Sequence, residues 1–217
     1  MKRILATALL CGLTMSSAHA ALVDRGGGMI YDDVLMITWL KDANYAKTSG
    51  YDTDGTYGTM YWATANAWAN ALVYGGFDDW RLPTTGTTPT CSGACTNSEL
   101  GHMFYNNMGA TYGKSIHLGS NSANLALFMN VAPQPPGVSG LYWSSTENAA
   151  GSAWSFNTLG GGQSVFGKGF AFYAWAVRDG DVASPVPEPA AAWLLLCGLG
   201  GLAGLGRRRA GRAQAIR

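Results

Sequence analysis

The sequence predicts an α+β fold: a compact domain with a small antiparallel sheet, two main helices and long loops, followed by a C-terminal transmembrane helix. Three observations carry this reading. Segments rich in β-branched and aromatic residues stand near both ends of the central region, two helix-patterned segments lie between them, and a long stretch of Gly, Asn, Ser and Pro separates the helices from the later strands. Strands, helices, a loop and strands again is the order of an α+β domain rather than of alternating βα units.

Taken from the N-terminus, residues 1–20 read as a secretory signal peptide. Lys2 and Arg3 form a basic start, Ile4 to Met15 an apolar core, and Ala18-His19-Ala20 an A-x-A site that places cleavage between Ala20 and Ala21. Met29 to Leu40 (MIYDDVLMITWL) reads as two short strands around a turn at Asp32-Asp33. The segment from Thr59, TMYWATANAWANALVYGG, reads as a helix. Trp62, Ala65, Ala69 and Leu72 fall on one face, and Gly75-Gly76 stops it.

A second helix is expected from Thr96, where Thr96-Asn97-Ser98-Glu99 forms a capping box and Leu100, Met103 and Phe104 supply the buried face. Gly109 to Gly140, which contains Pro133-Gln134-Pro135-Pro136, reads mainly as loop. Trp154 to Leu159 alternates as a strand, Gly160-Gly161-Gly162 turns the chain, and Gly169 to Arg178 (GFAFYAWAVR) reads as one aromatic-rich strand. No internal repeat or heptad is present.

The end of the chain is of a different kind. Ala190 to Gly206 is 17 residues without a charge, a helix of about 25 Å, just long enough to cross a bilayer. Its five glycines, at 198, 200, 201, 204 and 206, weaken a helix in water but are common in membranes. Arg207, Arg208 and Arg209 follow at once, and such a basic cluster holds its side of a span in the cytoplasm. Pro187 and Pro189 keep the strip around Glu188 extended, a form that a processing enzyme can bind.

Together Val186-Pro187-Glu188-Pro189, the short span and the arginine cluster resemble the PEP-CTERM sorting signal of Gram-negative bacteria. That resemblance implies export past signal peptidase, transient anchoring in the inner membrane, processing by the membrane protease exosortase, and transfer to the cell surface or extracellular matrix. The organisation expected is a signal peptide at 1–20, a domain at 21–184, and a sorting signal at 185–217 with its basic tail at 207–217.

Between the two targeting ends the charge changes sign. Ala21 to Val186 holds seven Lys plus Arg against twelve Asp plus Glu, a net charge of about minus five, so the overall +1 comes from the ends. A nucleic-acid partner is excluded on this balance, because phosphate binding needs a basic face. With Cys11 in the signal peptide and Cys197 in the apolar run, Cys91 and Cys95 are the cysteines of the domain. In an oxidising compartment this C-x3-C pair reads most simply as a local disulfide. A metal site and a redox dithiol are the alternatives, although His102 and His117 lack zinc-ligand spacing and a redox pair is more usually C-x-x-C.

GGFDDWRLPT at Gly75 to Thr84 joins with Trp39, Asp42-Ala43, Glu99-Leu100, Tyr142-Trp143-Ser144-Ser145-Thr146 and Ala176-Val177-Arg178 to form a second resemblance. In this order they resemble the Lcl C-terminal-domain-like family, a bacterial domain of unknown function, over about Leu22 to Val182. The resemblance implies a fold related to C-type-lectin-like and formylglycine-generating-enzyme-like domains. Trp80 and Trp143 suit a core because each buries a large area while its indole N–H finds a carbonyl. Arg81, before Leu82-Pro83, is expected to pair with Glu99 or with Asp78 or Asp79. On this reading the WRLPT and YWSST motifs, with Ser144, Ser145 and Arg178, are architecture.

Catalytic signatures are missing. There is no G-x-S-x-G elbow and no H-E-x-x-H, and the segment from Leu141 to Val182 lacks the late cysteine pair of formylglycine-generating enzymes. The chain is therefore read as a non-enzyme without a cofactor. Asp52 and Asp54 stand as weak calcium candidates, since the acid expected at the twelfth loop position falls on Ala63. Tyr51, Tyr57, Tyr61, Tyr105, Tyr112, Tyr142 and Tyr173 can stack on sugar rings if they reach the surface, although core packing is the commoner fate of such residues. The function expected is binding of polysaccharide or another surface component at the cell surface or in the matrix. A structural matrix protein without a specific ligand is the alternative, and a degenerate enzyme the third.

Overall fold

Nine strands run through the described part of the computed structural model, which covers residues 22–51, 57–86, 91, 94–132 and 140–182. In chain order the elements are β1 (Leu22–Gly26), β2 (Met29–Asp32), β3 (Ile37–Leu40), α1 (Tyr45–Thr48), β4 (Thr59–Tyr61), α2 (Trp62–Ala71), α3 (Glu99–His102), α4 (Ser122–Leu125), β5 (Leu141–Ala149), β6 (Ser152–Asn157), β7 (Gln163–Gly167), β8 (Ala171–Tyr173) and β9 (Val177–Asp179). A π-helical stretch, Met103–Asn107, continues α3, and a 3-10 turn forms at Ile116–Leu118. These residues belong to a compact unit that closes at Val182.

The α+β class stands, but the single small antiparallel sheet does not. The strands form two sheets, one in the order β1-β2-β3-β9 and one in the order β4-β8-β5-β6-β7. All pairings are antiparallel except β5 with β8, which meet in parallel at Tyr142 and Tyr173. The expected strand from Gly169 to Arg178 accounts for the difference. It breaks at Ala174 to Ala176, so that β8 serves one sheet and β9 the other. The crossing is buried and tied to β3: Leu40 N–H donates to the Ala176 carbonyl at 3.0 Å, and the Trp175 indole donates to the Leu40 carbonyl at 2.7 Å. Small side chains on either side of Trp175 let the backbone pass through the core without crowding.

Trp175 is the hub of that core. Trp39 and Phe128 meet it edge-on at 5.0 and 5.1 Å, and Tyr142 lies at 5.7 Å, with all four side chains buried. Off-centre and edge-on contacts of this kind add to the hydrophobic term because ring edges are positive and faces negative.

The helices begin later than the sequence predicts. Thr59 to Tyr61 is strand β4, paired with β8, and α2 starts at Trp62. Trp68 is also buried on its inner face, beside Ala65 and Ala69. The second helix is capped by Ser98, not Thr96: the Ser98 hydroxyl accepts the Gly101 N–H at 3.0 Å. Glu99 does not fold back to complete a box, because its carboxylate is engaged by Arg81 and by the Thr84 N–H. Leu100, Met103 and Phe104 are buried as expected.

Among the described residues no helix is long and apolar enough to cross a membrane. The predicted span at 190–206, Pro187-Glu188-Pro189, Arg207 to Arg209, the Ala20–Ala21 junction, and Asp52 and Asp54 all lie outside the described residues.

Candidate functional site

The motifs noted in the sequence meet in space, and their contacts are with one another. Arg81 and Val177 exchange both backbone hydrogen bonds at 2.8 Å, which joins the WRLPT segment to β9. Ser145 N–H donates to the Pro83 carbonyl at 2.8 Å, and Thr85 N–H to the Thr146 hydroxyl at 3.1 Å, which joins the same segment to β5. Glu99 N–H donates to the Thr84 carbonyl at 3.1 Å and so attaches α3. The WRLPT segment is thus a strut between the two sheets.

Its side chains complete the strut. Arg81 forks onto both Glu99 oxygens at 2.9 and 2.8 Å and also reaches Asp179. Burial disfavours the Arg81 charge, but Glu99 and Asp179 outweigh it and hold the guanidinium above its ordinary pKa. Asp79 pairs with Arg178 instead, at 2.7 and 2.9 Å, and that hydrogen bonding holds its carboxyl below the usual range. The Trp80 indole donates to the Tyr74 carbonyl at 3.3 Å and the Trp143 indole to the Met60 carbonyl at 2.8 Å. Leu82 and Ser144 are buried beside them. The charged groups of Asp79, Arg81, Glu99 and Arg178 and the indoles of Trp80 and Trp143 all face protein partners, which suits a frame rather than a ligand site.

Cys91 and Cys95 form a disulfide, with Cα atoms 5.5 Å apart. No group of three or more His, Cys, Asp or Glu side chains among the described residues is placed to hold a metal ion.

The tyrosines divide. Tyr142 and Tyr173 are core residues, Tyr105 is half-buried, and Tyr51, Tyr57, Tyr61 and Tyr112 are exposed. Tyr112 stands over a groove of about 350 Å³ at the β5–β6–β7 end of the second sheet. Cross-strand partners share a face of a sheet, and the pairs Leu141 with Asn157, Ser155 with Ser164, and Ala153 with Phe166 put the groove side chains Leu141, Asn157, Ser164 and Phe166 on one face. Gly113, Gly160 and Gly162 supply the backbone lining. Among the described residues, no charged side chain lines the groove.

Local geometry explains why Tyr112 projects. Lys114 N–H donates to the Thr111 carbonyl at 3.0 Å, and Gly113 has φ of 79°, so Thr111 to Lys114 is a turn whose third residue needs the left-handed conformation open to glycine. Tyr112 occupies the corner and is 57% exposed. Gly113 N–H donates to the Gly160 carbonyl and Ile116 N–H to the Thr158 carbonyl, at 2.9 and 2.8 Å, which pins the turn to the end of β6. On the other side the Tyr105 hydroxyl donates to the Gly161 carbonyl at 2.7 Å and steadies the glycine turn. The groove therefore joins two stretches that the sequence marks only as loop and turn, and glycines at both were its one legible sign.

A second hollow, of about 330 Å³, lies between Tyr51, Leu72 and Val73 with Trp68 at its base, and is chiefly apolar.

No curated protein matches the chain. The profile of the Lcl C-terminal domain matches residues 28–178, a span that begins beside β2, takes in the WRLPT strut and the groove, and stops at Arg178 in β9. By that match, over more than half its length, the chain belongs to the Lcl C-terminal domain family.

Proposed function

We propose that this protein is an exported, exosortase-sorted component of the cell surface or extracellular matrix, and that its domain binds neutral polysaccharide at the Tyr112 groove. The observation that carries the binding reading is the composition of the groove: an exposed tyrosine, a half-buried phenylalanine, an amide and a hydroxyl, with no charge among its described residues. A pyranose ring offers C–H faces to aromatic rings and hydroxyl edges to uncharged donors and acceptors, so this set suits a neutral sugar. Support for export comes from the signal-peptide pattern and the PEP-CTERM-like tail. The lectin-like relationship that the family resemblance implies agrees with a binding role without catalysis.

A glycan array probed with the full chain at low salt, at high salt and with EDTA tests this. Neutral glycans are expected to bind with little response to either salt or chelator, since the described residues of the groove carry no charged side chain and form no metal-ligand group. Tyr112→Ala is expected to weaken binding about tenfold, the loss of roughly one stacked ring face. Loss of binding with EDTA would point instead to a calcium bridge to acidic glycans, and absence of binding under every condition would leave the structural matrix role.

A further inference from the structure

Resting on the neutral-glycan reading above, we propose that the site takes an internal stretch of a linear neutral polymer, laid along a strip from Tyr112 across Phe166 to Phe170, and not a single terminal sugar. Phe166 is the link, because it lines the groove and also meets Phe170 edge-on at 6.0 Å. Phe170 is 58% exposed although it has no polar tip to reach water. Its ring is nonetheless held in place. It stacks on Phe172 at 6.2 Å with 12° between the planes, and buried Phe172 in turn packs on Trp143 at 4.5 Å and Phe166 at 5.1 Å.

The turn that carries Phe170 is neutral toward a ligand as well. Phe170 N–H donates to the Gly167 carbonyl at 3.1 Å, and a β-carbon at Gly167 would touch the Phe170 ring. Lys168 turns to Glu147 and lies over the Trp62 ring at 4.1 Å, so its charge is matched within the protein. One sugar can cover one ring. Three rings in series, two of them more than half exposed, with uncharged polar groups at Asn157 and Ser164, have the makings of successive subsites for one chain. Rigid aromatic surfaces of this kind contribute area at small entropic cost.

Calorimetric titration of the full chain, held in a detergent without a sugar headgroup, with linear neutral gluco-, manno- and galacto-oligosaccharides from disaccharide to hexasaccharide tests the strip. Affinity for the class that binds is expected to rise with length. Phe170→Ala should weaken hexasaccharide binding about tenfold and disaccharide binding by less than about twofold. Phe170→Leu should behave like the alanine variant, since it keeps apolar bulk without a flat face, and circular dichroism should show both variants folded. Tyr112→Ala should weaken every length. Equal affinity for disaccharide and hexasaccharide, or a length dependence untouched by Phe170→Ala, would overturn the strip while leaving the neutral-glycan reading in place. Absence of binding at every length would overturn both.

Discussion

Arg81 shows how much one side chain can hold together. Its guanidinium satisfies Glu99 through two oxygens, Asp179 of β9 and the carbonyl of Leu82, while its backbone pairs with Val177. The Glu99 partner was legible, because a basic residue before Leu-Pro and an acid at a helix start were both visible in the sequence. Asp179 was not: it lies 98 residues away and comes close only when β9 leaves the neighbourhood of β8. Arg81→Lys is expected to destabilise the domain by about 2 kcal/mol, because an ammonium cannot fork onto Glu99 and leaves part of a mostly buried carboxylate unpaired. Arg81→Ala should cost about 3 kcal/mol for the same reason in stronger form. Chemical denaturation of both variants measures these values, and an unchanged midpoint for Arg81→Lys would show that the fork contributes nothing beyond charge. Tyr112 gives the opposite lesson. Nothing in a lone Gly-x-x-Tyr-Gly context separates an exposed tyrosine from a core one, since the outcome depends on which turn the following glycine adopts.

Among the elements, the π-helical stretch Met103–Asn107 had no sequence signal. Leu100, Met103 and Phe104 read as an ordinary helical face, and they are buried as one. The wider π turn then brings Asn107 to the first sheet, where its amide donates to buried Asp32 at 2.6 Å. Asp32 in turn accepts the Val34 and Leu35 N–H groups, each at 3.0 Å, and so shapes the turn between β2 and β3. A side chain in one helix thereby steadies a hairpin turn 75 residues earlier. Asn107→Leu is expected to cost about 2 to 3 kcal/mol, since Asp32 is 1% exposed and would lose a donor that water cannot replace. Thermal or chemical unfolding measures it. Hydrogen exchange adds a more local readout, because protection of the Val34 and Leu35 amides should fall in this variant more than that of β6. The broken strand at Ala174 to Ala176 has a similar origin. An apolar run buried on all sides carries no alternation that could mark where it passes from one sheet to the other.

At the scale of the whole molecule, the expectation concerns processing. On the proposed sorting route the mature protein should lack residues 1–20 and the part of the tail beyond the Pro187-Glu188-Pro189 region, and intact-mass measurement on surface-extracted protein checks it. A mature species that still carries Arg207 to Arg217 would count against the sorting reading. Glu188→Ala should leave the apolar run intact yet cause precursor to accumulate in the inner membrane.

What the sequence determined by itself was whatever depends on local order: the acidic balance of the middle region, the family motifs, the β2–β3 hairpin, the two helical faces and a short-range disulfide between Cys91 and Cys95. Each rests on residues close together in the chain, where spacing is itself geometry. The tertiary structure alone decided that there are two sheets, that WRLPT is the strut between them, and that a turn at Tyr112, a glycine turn after β6 and the ring of Phe166 form one groove. Those facts require segments tens of residues apart to meet. Their meeting is set by how the buried rings around Trp175 and Trp143 pack, a many-body outcome that no local pattern encodes.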